Sequence, residues 1–451
     1  MHSALTDLRQ HPLMVPVVLA GMLGVMAPRV MATLLPVAML AAILRMLVFP
    51  APGMKIVPPR AWLSGHDSMG RRAYALFAVF SAWALISALW SSAPAHTIAK
   101  SLYLGMLLLG LLGLSAWQAC EPPENLNRAG IGLLIAVCIT GVIMAIDVQT
   151  NQGLVRWFLT TFPFLRGEST KHIVVYDGVI TAQSEAEINR RTAVMTLLLW
   201  PAALVAVNVW TTRLRSAAGH PWRTVFIPLV VTAFAAAGAA IALGGHQSSQ
   251  TALAAGIAMF LAARVSQRFA IIGAAAVWTV LVVLIVPIVM GAHAKGLQEA
   301  PWLFHSARHR VVIWNHTVQR IGLKPWIGIG ADATPAAKEF ADEQTVKDAG
   351  FPVSTGRHAH NAYLQVWYEL GVVGAALLLF AGLALLPVIA GLPSQAVPWA
   401  LAQAATSAIM AASSFSIWQV WFLASIAAGA AGLLIAVAMT RSNSPALAPP
   451  R

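Results

Sequence analysis

The residues best suited to chemistry are histidines and arginines that stand just outside long apolar segments of the sequence. His358 and His360 precede Asn361 in GRHAHNAYLQVWYELGVVG, and Arg310 precedes Trp314 by one helical turn in RVVIW. Arginine offers a charged, forked donor for anions, and histidine exchanges protons or binds metal ions near neutral pH. These two runs hold the first candidates for a functional site.

Arg190 and Arg191 form a third candidate group, at the start of an apolar run. Neighbours on a helix point about 100° apart, so one can face the helix bundle while the other meets lipid headgroups. The alternative interpretation is a pair of long side chains that anchors the helix end at the membrane surface.

Glu369 is the single carboxylate well inside an apolar segment, with Asp147 at the edge of another. Transporters driven by protons or sodium generally place several ionisable groups near the membrane midplane. One carboxylate inside an apolar segment therefore gives little support to a pump. A hydrogen bond between helices, or a pair with an arginine, explains Glu369 equally well.

Metal binding is the main alternative for the histidines. His305 and His309 are four residues apart, and His358 and His360 could chelate one ion. No cysteine stands near them in the sequence, and the chain contains neither HExxH nor a phosphate-binding glycine loop. We therefore expect no metal and no cofactor.

The composition requires a membrane around most of the chain. Of the 451 residues, 58% are hydrophobic and 10% are charged, whereas a soluble domain carries about 25% charged residues. About twelve apolar runs approach or reach membrane-spanning length, which predicts an all-α polytopic membrane protein with about 12 transmembrane helices. The runs cover residues 13–28, 30–50, 73–92, 101–119, 129–148, 190–211, 225–244, 250–264, 269–291, 362–390, 396–412 and 416–440.

The excess of 29 basic over 16 acidic residues fits the positive-inside rule, so we expect no nucleic-acid partner. With the N-terminus in the cytoplasm, the cytoplasmic segments carry many arginines and lysines, whereas the short external loops carry only Arg29 and Lys100. An even number of spans then places both termini in the cytoplasm.

This threading divides the chain into five regions. Residues 1–148 hold helices 1 to 5, and 149–189 form a first long external loop. Residues 190–291 hold helices 6 to 9, residues 292–361 form a large external loop with the candidate motifs, and 362–451 hold helices 10 to 12 and a cytoplasmic tail. Long loops in compact proteins are usually functional, so we expect the working face on the external side. Within the large loop, 334–348 is expected to be a solvated helix, either a lid or a spacer.

The run HNAYLQVWYELGVVG, with the Arg310–Trp314 pair and PWIGIG upstream, resembles the shared signature of O-antigen ligases and O-antigen polymerases. HQSSQTALAAGIA at 246–258 resembles the small polar element that precedes an alanine-rich helix in that superfamily. Polymerases often carry an arginine after the serine there, whereas this chain has Gln250, which favours a ligase. The resemblance covers about residues 185–385.

The resemblance implies a GT-C-like, inverting, metal-independent glycosyltransferase. Such an O-antigen ligase moves O-antigen from undecaprenyl diphosphate to lipid A-core, in lipopolysaccharide biosynthesis, at the periplasmic face of the bacterial inner membrane. Its partners are then undecaprenyl-diphosphate-linked O-antigen, lipid A-core oligosaccharide and membrane lipids.

The same resemblance implies a role for each candidate. Arg191, Arg190 and Arg310 would hold the diphosphate. His360 would deprotonate the acceptor hydroxyl, with His358 as the alternative base. The residues expected to support them are Asn361, Glu369 and Trp314.

Three other functions stay open. An O-antigen polymerase would use the same chemistry on a carrier-linked acceptor, and a protein oligosaccharyltransferase would use a polypeptide. A flippase or transporter of lipid-linked sugars should present cations along a path through the bilayer. Arg45 is the single basic residue well inside a predicted span, so this distribution favours an enzyme.

Overall fold

The computed structural model describes residues 14–48, 57–63, 66–163, 173–214, 221–337 and 358–442. These residues form fifteen α-helices and one two-stranded hairpin, which confirms the predicted all-α polytopic class. The elements are α1 (Met14–Met26), α2 (Met31–Val48), α3 (Ser68–Ile86), α4 (Pro94–Cys120), α5 (Pro123–Gln149), α6 (Gly153–Thr161), β1 (Ile173–Tyr176), β2 (Val179–Gln183), α7 (Glu185–Val209), α8 (Phe226–Leu243), α9 (Gln247–Val265), α10 (Gln267–Val283), α11 (Ile285–Ala294), α12 (His305–Ile321), α13 (Ala362–Ala390), α14 (Val397–Ser413) and α15 (Val420–Ser442).

Each predicted apolar segment contains a helix, but the helices differ in their capacity to cross a membrane. Among the described residues, eight are long and apolar enough to span it alone. The pair α10 and α11, bent by 66°, gives a ninth if it forms one span. The helices α1 and α14 are shorter, with 13 and 17 residues, and α9 begins with the polar run QSSQT.

The helix α7 lies at the centre of the bundle. Every residue from Arg191 to Ala202 is buried, and the helix packs against α5, α14 and α15. A helix that is apolar on all sides is typical of such a fully surrounded position. Its first turns therefore carry Arg190 and Arg191 into the bundle rather than along its outer surface.

The two segments predicted as long loops contain regular structure. The first holds α6 and the antiparallel hairpin β1–β2, whose register shifts between Val174 and Val175. In the same segment α7 begins at Glu185, ahead of the predicted residue 190, because the Ser184 hydroxyl accepts the Ala186 N–H (3.2 Å) and caps the helix.

The second segment holds α12, which packs against α11 and α13. The helix predicted over 334–348 is described only at its start, where Thr334–Ala336 forms a single 3₁₀ turn. Residues 338–348 lie outside the described residues.

The helix α13, predicted as continuous, is broken at Gly371, where φ is 67°. The PWIGIG segment crosses the helix here: the Val372 N–H donates to the Pro325 carbonyl (2.8 Å), and the Gly330 N–H donates to the Glu369 carbonyl (2.8 Å). A Cβ atom at Gly328 or Gly371 would collide with the opposite backbone. The glycines therefore allow the two backbones to touch, at a φ that other residues rarely adopt.

Candidate active site

Two histidines, an arginine and a serine lie close together at one end of four helices. They come from the starts of α9 and α13, the first turns of α12 and the end of α14. The carbonyl of Ser414, just after α14, accepts a hydrogen bond from His360 Nδ1 (2.9 Å), and its hydroxyl lies 3.2 Å from His246 Nε2. Arg310 acts electrostatically on both histidines. We call His246, Arg310, His360 and Ser414 the histidine–arginine cluster.

The position of α12 beside α9 follows from a direct contact. The Ser306 hydroxyl, in the first turn of α12, donates to Gln247 Oε1 in the first turn of α9 (2.6 Å). Further along α12, Val318 and Ile321 pack into an apolar core with Tyr363 and Leu364 of α13. These contacts hold α12, and with it Arg310, against both neighbours.

The contact with Ser414 assigns the tautomer of His360. A carbonyl oxygen can only accept, so Nδ1 carries the proton and Nε2 keeps its lone pair. Burial lowers the pKa of His360, the hydrogen bond to the Ser414 carbonyl opposes that change, and the charge of Arg310 lowers the pKa further. The imidazole is therefore neutral at pH 7, which is the form that accepts a proton.

His358 is tied to the backbone of His360. Its Nδ1 accepts the His360 N–H (3.2 Å), and the two ring centroids are 4.1 Å apart. Burial, followed by the neighbouring His360, lowers the pKa of His358 to about 3. Its Nδ1 lone pair is thus engaged in holding His360, whose φ of 51° is uncommon for a residue other than glycine.

Asn361 fixes the start of α13. Its Oδ1 accepts the backbone N–H groups of Tyr363 (3.0 Å) and Leu364 (3.1 Å), as a helix cap does. The residue is 1% exposed. Trp314, one turn after Arg310, packs partly buried against the same apolar core as Tyr363 and Leu364.

Arg310 differs from the other candidate arginines because it has no carboxylate partner among the described residues. Within the described ranges, its guanidinium makes no hydrogen bond or ion pair with the protein. Burial lowers its pKa, but an arginine stays charged at neutral pH. A partly buried cation with uncommitted donors is suited to an anionic ligand.

Arg190 and Arg191 lie in ion pairs instead. Arg191 is 3% exposed, and its Nη1 is 3.2 Å from Asp147 Oδ2. The Nη1 of Arg190 is 2.5 Å from Glu187 Oε1, and the same oxygen is 3.0 Å from Arg29 Nη2. Their charges are therefore largely compensated.

This ion-pair network is a neighbour of the histidine–arginine cluster. Thr192, next to Arg191, lies close to Gly244. A Cβ atom placed on Gly244 would be 3.1 Å from the Thr192 methyl group. Gly244 is two residues before His246. The structure thus unites His360 and Arg310 in one cluster and places Arg190 and Arg191 beside it.

Glu369, one turn after Gln365 in α13, is fully buried and forms the centre of a separate polar cluster. Its carboxylate accepts the N–H groups of Asp332 (3.0 Å) and Thr334 (3.3 Å), the Thr334 hydroxyl (2.5 Å), the Gln365 amide (3.2 Å) and the Trp418 indole N–H. We call this group the Glu369 clamp. It fastens the segment after PWIGIG, and the connection between α14 and α15, to α13.

Two members of the histidine–arginine cluster were not among the predicted site residues. His246 bonds locally, with its Nδ1 2.6 Å from Ser249 Oγ, and its Nε2 also contacts Ser414. Ser414 stands in SSFS, a short polar break between two apolar runs. That break was the available signal, since polar residues between helices often complete a site.

Part of the chain is similar to a known protein family. Residues 231–379 match the sequence model of the family described as O-antigen ligase. The resemblance to O-antigen ligases is confirmed. The matched segment contains His246, Arg310, His358, His360 and Glu369, whereas Arg190, Arg191 and Ser414 lie outside it.

Three relatives from Rickettsia carry the provisional name of polysaccharide ligase. The protein from Rickettsia felis is 23% identical over 77% of this chain and 76% of its own length. The Rickettsia conorii protein is 22% identical over 80% and 78%, and the Rickettsia bellii protein is 29% identical over 32% and 36%. The family match and these relatives support an enzyme of the ligase or polymerase type that acts on polysaccharide in a membrane.

Proposed function

We propose that the chain is an O-antigen ligase, an inverting and metal-independent glycosyltransferase. It transfers O-antigen polysaccharide from undecaprenyl diphosphate to lipid A-core at the periplasmic face of the bacterial inner membrane. The family match at residues 231–379 supports the class of enzyme. The histidine–arginine cluster supports the chemistry.

The proposed reaction is a single displacement. The acceptor hydroxyl oxygen attacks the anomeric carbon, the bond from that carbon to the diphosphate oxygen breaks, and its electron pair leaves with undecaprenyl diphosphate. The hydroxyl proton passes to Nε2 of His360. Attack from the side opposite the leaving group inverts the anomeric centre.

Arg310 stabilises the departing diphosphate in this proposal. Charge develops on the leaving oxygen, and an oriented guanidinium in a partly buried site stabilises it more than water would. Arg191 and Arg190 contribute a weaker field, because Asp147 and Glu187 neutralise much of their charge. His358 acts by positioning His360 rather than as a second base.

One observation carries the proposal: the Ser414 carbonyl fixes the Nδ1–H tautomer of His360 and leaves Nε2 with a lone pair, in the field of Arg310. This is the arrangement that a general base requires. In the proposed topology both termini are cytoplasmic, and residues 149–189 and 292–361 face the periplasm.

Reconstitution of the purified protein tests the proposal. The donor is an undecaprenyl-diphosphate glycan, offered in EDTA with either lipid A-core or a second carrier-linked unit as acceptor. We expect transfer to lipid A-core with inversion. Transfer only to the carrier-linked unit would make the protein a polymerase, movement of donor across the bilayer without transfer would make it a flippase, and inhibition that zinc reverses would restore the metal hypothesis.

A further inference from the structure

A polar pocket lies next to the ion pair of Arg191. It is an open pocket of about 260 Å³, bordered by the end of α5, the start of α7 and the connection from α8 to α9. None of the roles proposed above uses it. Its lining includes Asp147, Asn151, Gln152, Glu185, Asn189 and Gly245.

Three polar side chains on this lining are at least partly accessible: Asn151 and Glu185 are exposed, and Asn189 is half-buried. Those of Asn151, Glu185 and Asn189 make no hydrogen bond or ion pair to any residue that the structure describes. Asp147 differs, because its carboxylate accepts the Val155 N–H (3.1 Å) and pairs with Arg191. The pocket thus combines the paired carboxylate of Asp147 with three accessible polar side chains that have no partner among the described residues.

The turn that forms one wall has a constrained backbone. Asn151 and Gln152 have φ angles of 51° and 62°, and the Gln152 N–H donates to the Asp147 carbonyl (2.6 Å). Left-handed residues cost conformational free energy and persist where the surrounding structure fixes them, often at binding sites. The wall is therefore set in shape before any ligand arrives.

The chemistry of the lining selects the ligand. Amides donate and accept, and a carboxylate accepts, which suits hydroxyl groups that do both. The carboxylate of Glu185, which has no cationic partner among the described residues, disfavours an anion such as diphosphate. The volume lies below the roughly 300–1,000 Å³ of pockets for drug-sized ligands, so it matches one sugar ring rather than an oligosaccharide.

We propose that this pocket is a sugar-binding subsite that takes one uncharged pyranose residue of the glycan substrates. Gly245, on its lining, is followed directly by His246 of the histidine–arginine cluster. A pyranose bound in the pocket therefore contacts the residue next to His246 in the chain. This inference rests on the proposed glycosyl transfer, and it adds a specificity site to it.

The sharpest variant is Asn189→Ala. Asn189 lies inside α7 and makes no side-chain hydrogen bond with the described protein, and alanine has the higher helix propensity, so the variant should fold. Gln149→Ala is the matched control. Gln149 is an exposed amide at the end of α5 that borders the pocket, but it does not line the pocket.

Steady-state transfer by the full chain measures the KM for the undecaprenyl-diphosphate glycan and, separately, for lipid A-core. Loss of one hydrogen bond to a neutral group predicts a rise of about 3–10-fold in one of these constants, with kcat nearly unchanged. A rise for the donor assigns the pocket to the donor sugar, and a rise for the acceptor assigns it to the core sugar. Unchanged constants for both substrates would overturn the subsite.

A binding measurement separates this inference from the proposed function. Saturation-transfer NMR with methyl glycosides of glucose and N-acetylglucosamine needs no turnover. We expect a signal from the wild type and from His360→Gly, and a weaker one from Asn189→Ala. If no form transfers glycan but the signal still depends on Asn189, the proposed function fails and the subsite stands. Equal signals from wild type and Asn189→Ala, or displacement of the sugar by inorganic pyrophosphate, would overturn the subsite.

Discussion

Two polar clusters lie within nine residues of each other along the start of α13, and they differ in burial and in how completely their hydrogen bonds are made. In the Glu369 clamp, both carboxylate oxygens accept hydrogen bonds from α13, from the 330–334 segment and from Trp418. In the histidine–arginine cluster, Arg310 has no protein acceptor and His360 Nε2 has no hydrogen-bond partner among the described residues.

The difference separates a structural role from a chemical one. The Glu369 carboxylate is fully buried and both of its oxygens accept hydrogen bonds from the protein, so it stabilises the fold. Arg310 and His360 are partly exposed. Among the described residues, the Arg310 guanidinium and His360 Nε2 have no protein partner, so we infer that a substrate completes the cluster.

The largest expected effect is on the transfer rate, after a change in the histidine–arginine cluster. His360→Gly should lower the single-turnover rate of transfer by about 10²–10⁴-fold, the usual contribution of a general base. Glycine accepts the positive φ of this position without strain, so the variant should fold and lose only the hydrogen bond to the Ser414 carbonyl, about 0.5–1.5 kcal/mol. The exposed His96→Ala is the control. Wild-type transfer by His360→Gly would remove the general base.

Glu369→Gln should have the next largest effect, and on stability. The amide group presents N–H donors to the donors of Thr334 and Trp418, and one mismatched buried group costs about 1–3 kcal/mol. Thermal unfolding in detergent measures the loss, with the exposed Glu299→Gln as the control. Transfer per folded molecule should stay close to the wild-type rate. A stable but inactive variant would move Glu369 into the chemical site.

Arg310→Lys should reduce kcat/KM by about tenfold, equivalent to about 1.4 kcal/mol. Lysine keeps the charge but loses the two parallel donors that fit a phosphate. Stability should not change, since Arg310 makes no hydrogen bond with the described protein. Arg308→Lys serves as the neighbouring control. An unaltered rate would argue against a diphosphate at this side chain.

The smallest effect concerns pH. Burial and the charge of Arg310 lower the pKa of His360, so transfer should decline on acidification as Nε2 becomes protonated, with a midpoint below the ordinary histidine pKa of about 6.5. Arg310→Gln removes the cation, so it should raise the pKa and move the midpoint of the decline to higher pH. A midpoint that moves to lower pH in this variant would contradict the electrostatic link.

Much of this arrangement was accessible from the sequence, because it depends on local patterns. The length of the apolar runs predicted the helices. The two runs that contain Arg310 with Trp314 and His360 with Asn361 were predicted to hold candidate site residues. The resemblance to O-antigen ligases rested on the same runs, and the family match confirmed it.

The remainder depends on contacts between residues distant in the chain. Ser414 touches His360 across 54 positions and His246 across 168, and no local pattern encodes such pairs. The break of α13 at Gly371 was likewise not predicted. A continuous apolar run predicts one helix, and the break depends on the PWIGIG segment that crosses α13 here. Asp147 was noted only as an edge carboxylate, and its pairing with Arg191 follows from the packing of α5 on α7.

Chemical rescue tests the central claim most directly. His360→Gly leaves space where the imidazole stood, so free imidazole can enter and accept the hydroxyl proton in its place. We predict that transfer by this variant rises with added imidazole, and that the rescue increases with pH as the neutral form of imidazole becomes dominant. Transfer at the wild-type rate without imidazole would contradict a role for His360 as the base.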